Sequence, residues 1–107
     1  MSLEYDVTRR GTTAAIALRG RIDRDAGDHL DAAYAAAHGI DPQVVELDFS
    51  AVDYINSTGI ALIVGLLARA RAQKVGVRAT GLTPHYQHIF EITRLSDFIE
   101  IVQPVGH

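Results

Sequence analysis

Hydrophobic and polar residues alternate in the first part of the chain and then recur with helical spacing. Two alternating runs, residues 3–9 and 12–22, flank the polar turn "RRGTT", which contains Gly11. Alternation of this kind on both sides of a glycine turn predicts a β-hairpin. The alanine-rich stretch "GRIDRDAGDHLDAAYAAAHG" follows and predicts a helix, with Asp23 as a plausible cap and Gly39 as a stop.

Strands and helices alternate through the rest of the chain. The dense apolar run "QVVELDFSAV" predicts a central, largely buried strand. A helix over 57–73, a short strand over 75–80, a helix opened by Thr83 and Pro84, and a last strand in "DFIEIV" complete the pattern. The order β-β-α-β-α-β-α-β predicts an α/β fold, a mixed sheet with helices packed on it. A length of 107 residues predicts one domain, residues 1–107.

The predicted helix 57–73 is apolar on more than one side. One core-type stripe follows the i, i+3, i+4, i+7 rule and comprises Ile60, Ile63, Val64 and Leu67. Leu62 and Leu66 lie off that stripe. This extra apolar surface suggests a partner-binding surface at Ile60, Leu62 and Leu66.

Composition and charge restrict the possible partners and compartments. The net charge is −3 with acidic and basic residues interspersed, which argues against a nucleic-acid surface. The chain has no cysteine, so we expect neither disulfides nor a thiolate site. The longest apolar stretch, 59–68, is too short for a membrane span, and the first ten residues contain no apolar run of a signal peptide. We therefore expect a cytoplasmic protein that is not inserted in membranes.

The segment "NSTG", Asn56–Gly59, joins the central strand to the apolar helix. Asn56, Ser57 and Thr58 are all good N-cap residues, so simple capping accounts for much of the pattern. The positive end of a helix at the carboxyl edge of a sheet also favours a phosphate, and Gly59 permits close approach to the backbone. A phosphorylated serine at this rim would place a charge of roughly −1.5 to −2 beside an apolar surface. Capping and a binding switch are thus the two alternatives.

The other polar clusters of the sequence do not match a metal site, a catalytic site or a P-loop. His85 and His88 share a helix face but lack a third ligand nearby, so we expect a surface or cap role and no metal. The acidic residues at the start of the first helix suit its dipole and are interpreted as a solvated face; they are Asp23, Asp25, Asp28 and Asp31. The sequence around Ser57 lacks the first glycine of a nucleophile elbow, and no P-loop is present. We expect no enzyme activity and no cofactor.

Three segments resemble the STAS family, the domain of sulfate transporters and anti-sigma factor antagonists. "LRGRIDRDAGDHL" resembles the end of strand two and the first helix, "VVELDFSAVDYINSTGIALIVGL" the central strand and phosphorylation loop, and "FEITRLSDFIEI" the last helix and strand. The resemblance covers nearly the whole chain. In the bacterial anti-sigma factor antagonists of this family the loop typically reads Asp-Ser-Ser/Thr-Gly.

The resemblance assigns roles to residues of this chain. It makes Ser57 the phosphoacceptor and Thr58 the neighbouring hydroxyl, while Gly59 matches the family glycine. Asn56 stands where the family has an acid. Asp23 corresponds to an aspartate near the loop that supports it or contacts the kinase.

The function implied by the resemblance is an anti-sigma factor antagonist. Its partners would be an anti-sigma factor Ser/Thr kinase, which it sequesters to release a sigma factor, and a phosphatase that restores the unphosphorylated form. Two alternatives remain open: a non-catalytic subunit that binds the ATPase of a lipid-transport ABC system, which the uncharged Asn56 favours, and nucleotide binding.

Overall fold

A computed structural model describes residues 3–102 as a five-stranded sheet with three α-helices. The strands are β1 (Glu4–Arg10), β2 (Thr13–Ile22), β3 (Val44–Ile55), β4 (Gly76–Thr80) and β5 (Glu100–Ile101). The helices are α1 (Gly27–His38), α2 (Ser57–Ala72) and α3 (Pro84–Ile92), with short 3-10 turns at Arg24–Ala26 and Leu95–Asp97. This order confirms the α/β fold predicted from the sequence.

The strands are arranged in the sheet in the order β1-β2-β3-β4-β5. The β1 and β2 strands form the predicted antiparallel hairpin, and all later neighbours are parallel. Parallel neighbours need a crossover connection, and the three helices provide it. The carboxyl ends of β2 and β3 therefore lie at one edge of the sheet, next to the start of α2.

The helices pack on one face of the sheet, which contains the core. Alternate strand residues such as Ile16, Leu47 and Ala79 are buried on this face. The Phe49 ring on β3 meets the Phe90 ring on α3 edge to face, with centroids 5.8 Å apart. The opposite face, here called the open face, carries small and charged residues, including Ala15, Ala17, Glu46 and Arg78.

Several element boundaries differ from the sequence prediction. The central strand continues to Ile55, whereas the predicted last strand is reduced to Glu100–Ile101. A 3-10 turn occupies Leu95–Asp97, and Arg94 before it adopts a left-handed conformation with φ 67°. The Arg94 guanidinium pairs with Asp97, Nε to Oδ2, at 3.1 Å.

No helix within residues 3–102 is both long and apolar enough to cross a membrane.

Candidate functional site

The 56–59 loop, Asn56 to Gly59, lies where the buried β3 strand ends and α2 begins. Ile22 and Ile55 are partners in the parallel β2–β3 pairing. The backbone N–H of Asn56 donates to the carbonyl oxygen of Ile22 at 3.3 Å. Asp23, the residue after Ile22, therefore lies at the same sheet edge as the loop.

Asn56 is the N-cap of α2. Its side-chain Oδ1 accepts a hydrogen bond from the Gly59 N–H at 2.8 Å, and its carbonyl accepts one from the Ile60 N–H at 2.9 Å. An asparagine oxygen satisfies a first-turn donor as an aspartate oxygen would, without the charge. Of the three residues that the sequence offered as N-caps, Asn56 is therefore the one that caps α2.

Ser57 and Thr58 are the first two residues of α2, and both are exposed. Among the hydrogen bonds of residues 3–102, none involves either hydroxyl. The first-turn N–H groups of both residues lie at the positive end of the helix. A phosphoryl group on the Ser57 oxygen would meet these donors and the helix dipole, so the geometry suits a phosphorylated as well as a free hydroxyl.

Gly59 makes the closest contact between the loop and the rest of the fold. A Cβ at this position would lie 1.9 Å from the Ile22 carbonyl oxygen and 2.7 Å from its carbon. Both atoms are backbone, so no rotamer change relieves the overlap. The backbone that approaches Gly59 is thus the end of β2. This contact alone requires a glycine at position 59, whether or not a ligand binds there.

Asp23 organises the neighbouring turn. One carboxylate oxygen accepts from the Asp25 N–H at 3.0 Å, so Asp23 caps the 3-10 turn that precedes α1. The other oxygen lies 3.6 Å from Nε of Arg21, whose guanidinium carbon is 4.3 Å from the Tyr54 ring centroid. An acid, a base and an aromatic ring thus form one cluster at the edge that carries the loop.

Tyr86 is a contributor that sequence reasoning did not single out. Its hydroxyl accepts a hydrogen bond from the Ile55 backbone N–H at 3.0 Å, which ties α3 to the last residue of β3. The sequence showed only a tyrosine on the apolar side of a helix. The polar tip of a half-buried tyrosine usually has a partner, but the sequence does not identify it.

The expected partner surface on α2 needs correction. Leu66 is only 5% exposed, and Leu62 is half-buried with its Cδ2 3.5 Å from the point where a Cβ on Gly27 would lie. The second apolar side of α2 therefore packs towards the start of α1. Val64, which was placed in the core stripe, is instead 46% exposed, and Ile60 is half-buried.

The remaining candidates are surface residues of the helices. His85 and His88 are exposed on α3, and the His85 ring contacts the Tyr86 ring. Asp25 and Asp28 are exposed at the start of the first helical segment. Asp31 pairs with Arg69 of α2 at 3.3 Å.

The sequence of this domain matches a known protein family. The family model described as "Mlab, STAS domain" matches residues 5–103. The chain belongs to the STAS domain family. The match extends from β1, without its first residue, to the end of β5, and it therefore contains the 56–59 loop.

Proteins similar to this chain in sequence or fold include anti-sigma factor antagonists. The chain is 31% identical to the anti-sigma-B factor antagonist of Listeria monocytogenes, over 99% of this chain and 94% of that protein. An anti-sigma factor antagonist from Mycobacterium paratuberculosis has the same fold, with a TM-score of 0.76 at 18% identity, covering 96% of this chain and 87% of that one. The phosphorylated form of the Bacillus cell fate determinant SpoIIAA gives a TM-score of 0.68 at 17% identity, covering 94% and 92%.

Proposed function

We propose that this STAS domain is an anti-sigma factor antagonist whose binding is switched by phosphorylation of Ser57. The observation that carries the proposal is that the cap of α2 and the exposed serine are different residues of the 56–59 loop. Asn56 caps α2, which leaves the exposed Ser57 hydroxyl at the first helical position free for modification. The similarity to the Listeria antagonist supports the role, and a SpoIIAA structure in the phosphorylated form supports the switch.

In this proposal the partner is an anti-sigma factor kinase, and the domain is its substrate rather than a catalyst. The unphosphorylated loop and the exposed first turn of α2 contact the kinase, and Asp23 holds the neighbouring turn in place. Release of the sigma factor follows from occupation of its inhibitor. A phosphatase acting on Ser57 restores the binding form.

The switch has an electrostatic basis. A phosphate adds roughly −1.5 to −2 charges to a surface that already holds the Asp23 carboxylate. Burying that dianion in a packed interface removes its hydration water, and the lost hydration free energy is not offset unless a cation of the partner pairs with it. The free domain loses little, because the phosphate there faces water and the positive helix end.

The test is phosphorylation by the anti-sigma factor kinases encoded in the source genome, with ATP, followed by intact mass and peptide mapping. We expect one phosphate on Ser57 in the wild type and in Thr58→Ala, and none in Ser57→Ala. Calorimetric titration should show that the phosphorylated domain binds the kinase at least about tenfold more weakly, roughly 1.4 kcal/mol. A phosphate on another residue, or equal affinity of both forms, would refute the switch.

The alternative function is a non-catalytic subunit that binds the ATPase of a lipid-transport ABC system. It is favoured by the uncharged Asn56, which keeps the cap but leaves no acid beside Ser57. A pull-down with wild type and Ser57→Asp separates the two functions. A kinase captured by the wild type and lost with the aspartate supports the switch, whereas an ATPase captured equally by both supports the transport subunit.

A further inference from the structure

An apolar groove runs between the second half of α2 and the 3-10 turn that follows α3. Its volume is about 170 Å³. The lining side chains are Val64, Leu67, Ala68, Arg71, Leu95 and Phe98. Two of the apolar ones are well exposed at its rim, Val64 at 46% and Phe98 at 54%.

A basic cleft adjoins the groove. A second cavity of about 290 Å³ shares Leu67, Arg71 and Phe98 with the groove and adds Lys74. The Arg71 guanidinium carbon lies 5.3 Å from the Phe98 ring centroid. Neither Arg71 nor Lys74 takes part in an ion pair in the part of the chain that the structure describes, and the Asp97 carboxylate at the cleft pairs with Arg94.

Core packing and helix capping explain only part of this arrangement. Cations in the last turn of a helix favour its dipole, which accounts for the charge of Arg71. It does not account for two exposed apolar side chains beside two unpaired cations on a protein of net charge −3. Arg69 shows the ordinary arrangement on the other side of the same turn, since it pairs with Asp31.

We propose that this groove binds a short segment of a partner protein in which an apolar side chain stands next to acidic side chains. The apolar side chain fills the space between Val64 and Phe98, where burial removes both from water. The acidic side chains reach Arg71 and Lys74, so that charge complementarity sets the direction of the segment.

The groove is distant from the 56–59 loop. Arg71 lies fourteen residues after Ser57 in α2, which at about 1.5 Å per residue places them roughly 20 Å apart along the axis. At about two Debye lengths, a phosphate on Ser57 has little effect on a charge at Arg71. The proposal therefore goes beyond the phosphorylation switch and does not depend on it.

The test is selection of a phage-displayed library of random peptides against the full-length protein, followed by calorimetric titration of the enriched peptides. We expect enriched peptides to combine aliphatic or aromatic residues with Asp or Glu. Arg71→Gln and Val64→Ser should each weaken binding at least about fivefold. Two control variants on α2 should leave the affinity within about twofold, as should Ser57→Asp. Arg69→Gln makes the same change as Arg71→Gln at another arginine, and Ala61→Ser introduces a serine at an exposed position away from the groove.

Four outcomes would overturn the proposal. The first three are the absence of enriched peptides, the enrichment of basic peptides, and equal loss of affinity in the variants and their controls. The fourth is loss of peptide binding in Ser57→Asp alone, which would place the site at the loop. Because Ser57→Asp tests the switch and Arg71→Gln tests the groove, failure of one proposal is distinguishable from failure of the other.

Discussion

Asn56 caps α2 and Ser57 is exposed, although both belong to the preferred N-cap types. The sequence left capping and a binding switch as alternatives for this short segment. The helix predicted to begin at residue 57 makes Asn56 the N-cap, but sequence patterns locate a helix start only to within one or two residues, so Asn56, Ser57 and Thr58 all remained candidates. The structure begins α2 at Ser57 and thereby makes Asn56 the cap.

Replacing Asn56 should lower the stability of the domain, whereas replacing Ser57 should not. Asn56→Ala removes the acceptor of the Gly59 N–H, and we expect the free energy of unfolding to fall by about 1 kcal/mol. Ser57→Ala is the control, with an expected change within about 0.5 kcal/mol. Urea denaturation of both variants measures the difference. A larger loss for Ser57→Ala than for Asn56→Ala would mean that the serine is the cap.

The buried Tyr34 makes the stability of the domain depend on pH in the alkaline range. Burial raises the pKa of its hydroxyl, and the nearby Arg69 lowers it by a smaller amount. The hydroxyl also donates to Oε1 of Gln73 at 2.5 Å. The unfolded chain therefore releases the Tyr34 proton at a lower pH than the folded one, so this contribution to stability is full below about pH 10 and declines above it.

Tyr34→Phe tests this pH dependence. Near pH 8 the variant should be less stable by about 1 kcal/mol, because it loses the hydrogen bond to Gln73. The difference from the wild type should shrink as the pH rises past about 10. Urea denaturation across this range measures both. A constant difference at every pH would contradict the raised pKa.

Helix α2 shows which properties of an element its own sequence reveals. Its limits, Ser57–Ala72, are close to those predicted, since apolar periodicity is a local signal. The directions of its apolar side chains were predicted correctly for Ile63 and Leu67 and wrongly for Val64 and Leu66. They depend on how α2 packs against both the sheet and α1, which is a tertiary property. Leu66 consequently lies in the core while Val64 lies in the groove. The last strand is present but shorter than predicted, because the left-handed Arg94 and the turn after it reduce the segment available for pairing.

Two glycines of α2 should respond oppositely to alanine. Gly59→Ala places a Cβ against the Ile22 backbone, so we expect a loss of at least about 2 kcal/mol. Gly65→Ala meets no atom within 4 Å and should gain about 0.5–1 kcal/mol from helix propensity. Guanidinium unfolding of both variants gives the two signs. Equal effects would show that the contact between Gly59 and Ile22 is not tight.

At the scale of the whole molecule, the one-sided arrangement of helices follows from the alternation of the strands. Each strand presents apolar residues to one face, and three successive crossovers place their helices there. The sequence predicted helices packed on a mixed sheet, since this depends on the period and order of the elements, but it did not predict that they share one face. It did not predict that the groove and the 56–59 loop would occupy opposite halves of one helix, because Phe98 and Leu95 reach α2 only through the fold.

The crossovers also determine how the chain finds this arrangement. Only the β1–β2 hairpin pairs residues joined by a short turn, while each parallel pairing in residues 3–102 must first close a long segment of chain that contains a helix. Closing such segments loses entropy before their contacts form. We therefore expect the hairpin to form early and the complete sheet on a timescale on the order of milliseconds, so that the contact of Gly59 with Ile22 is made late in folding.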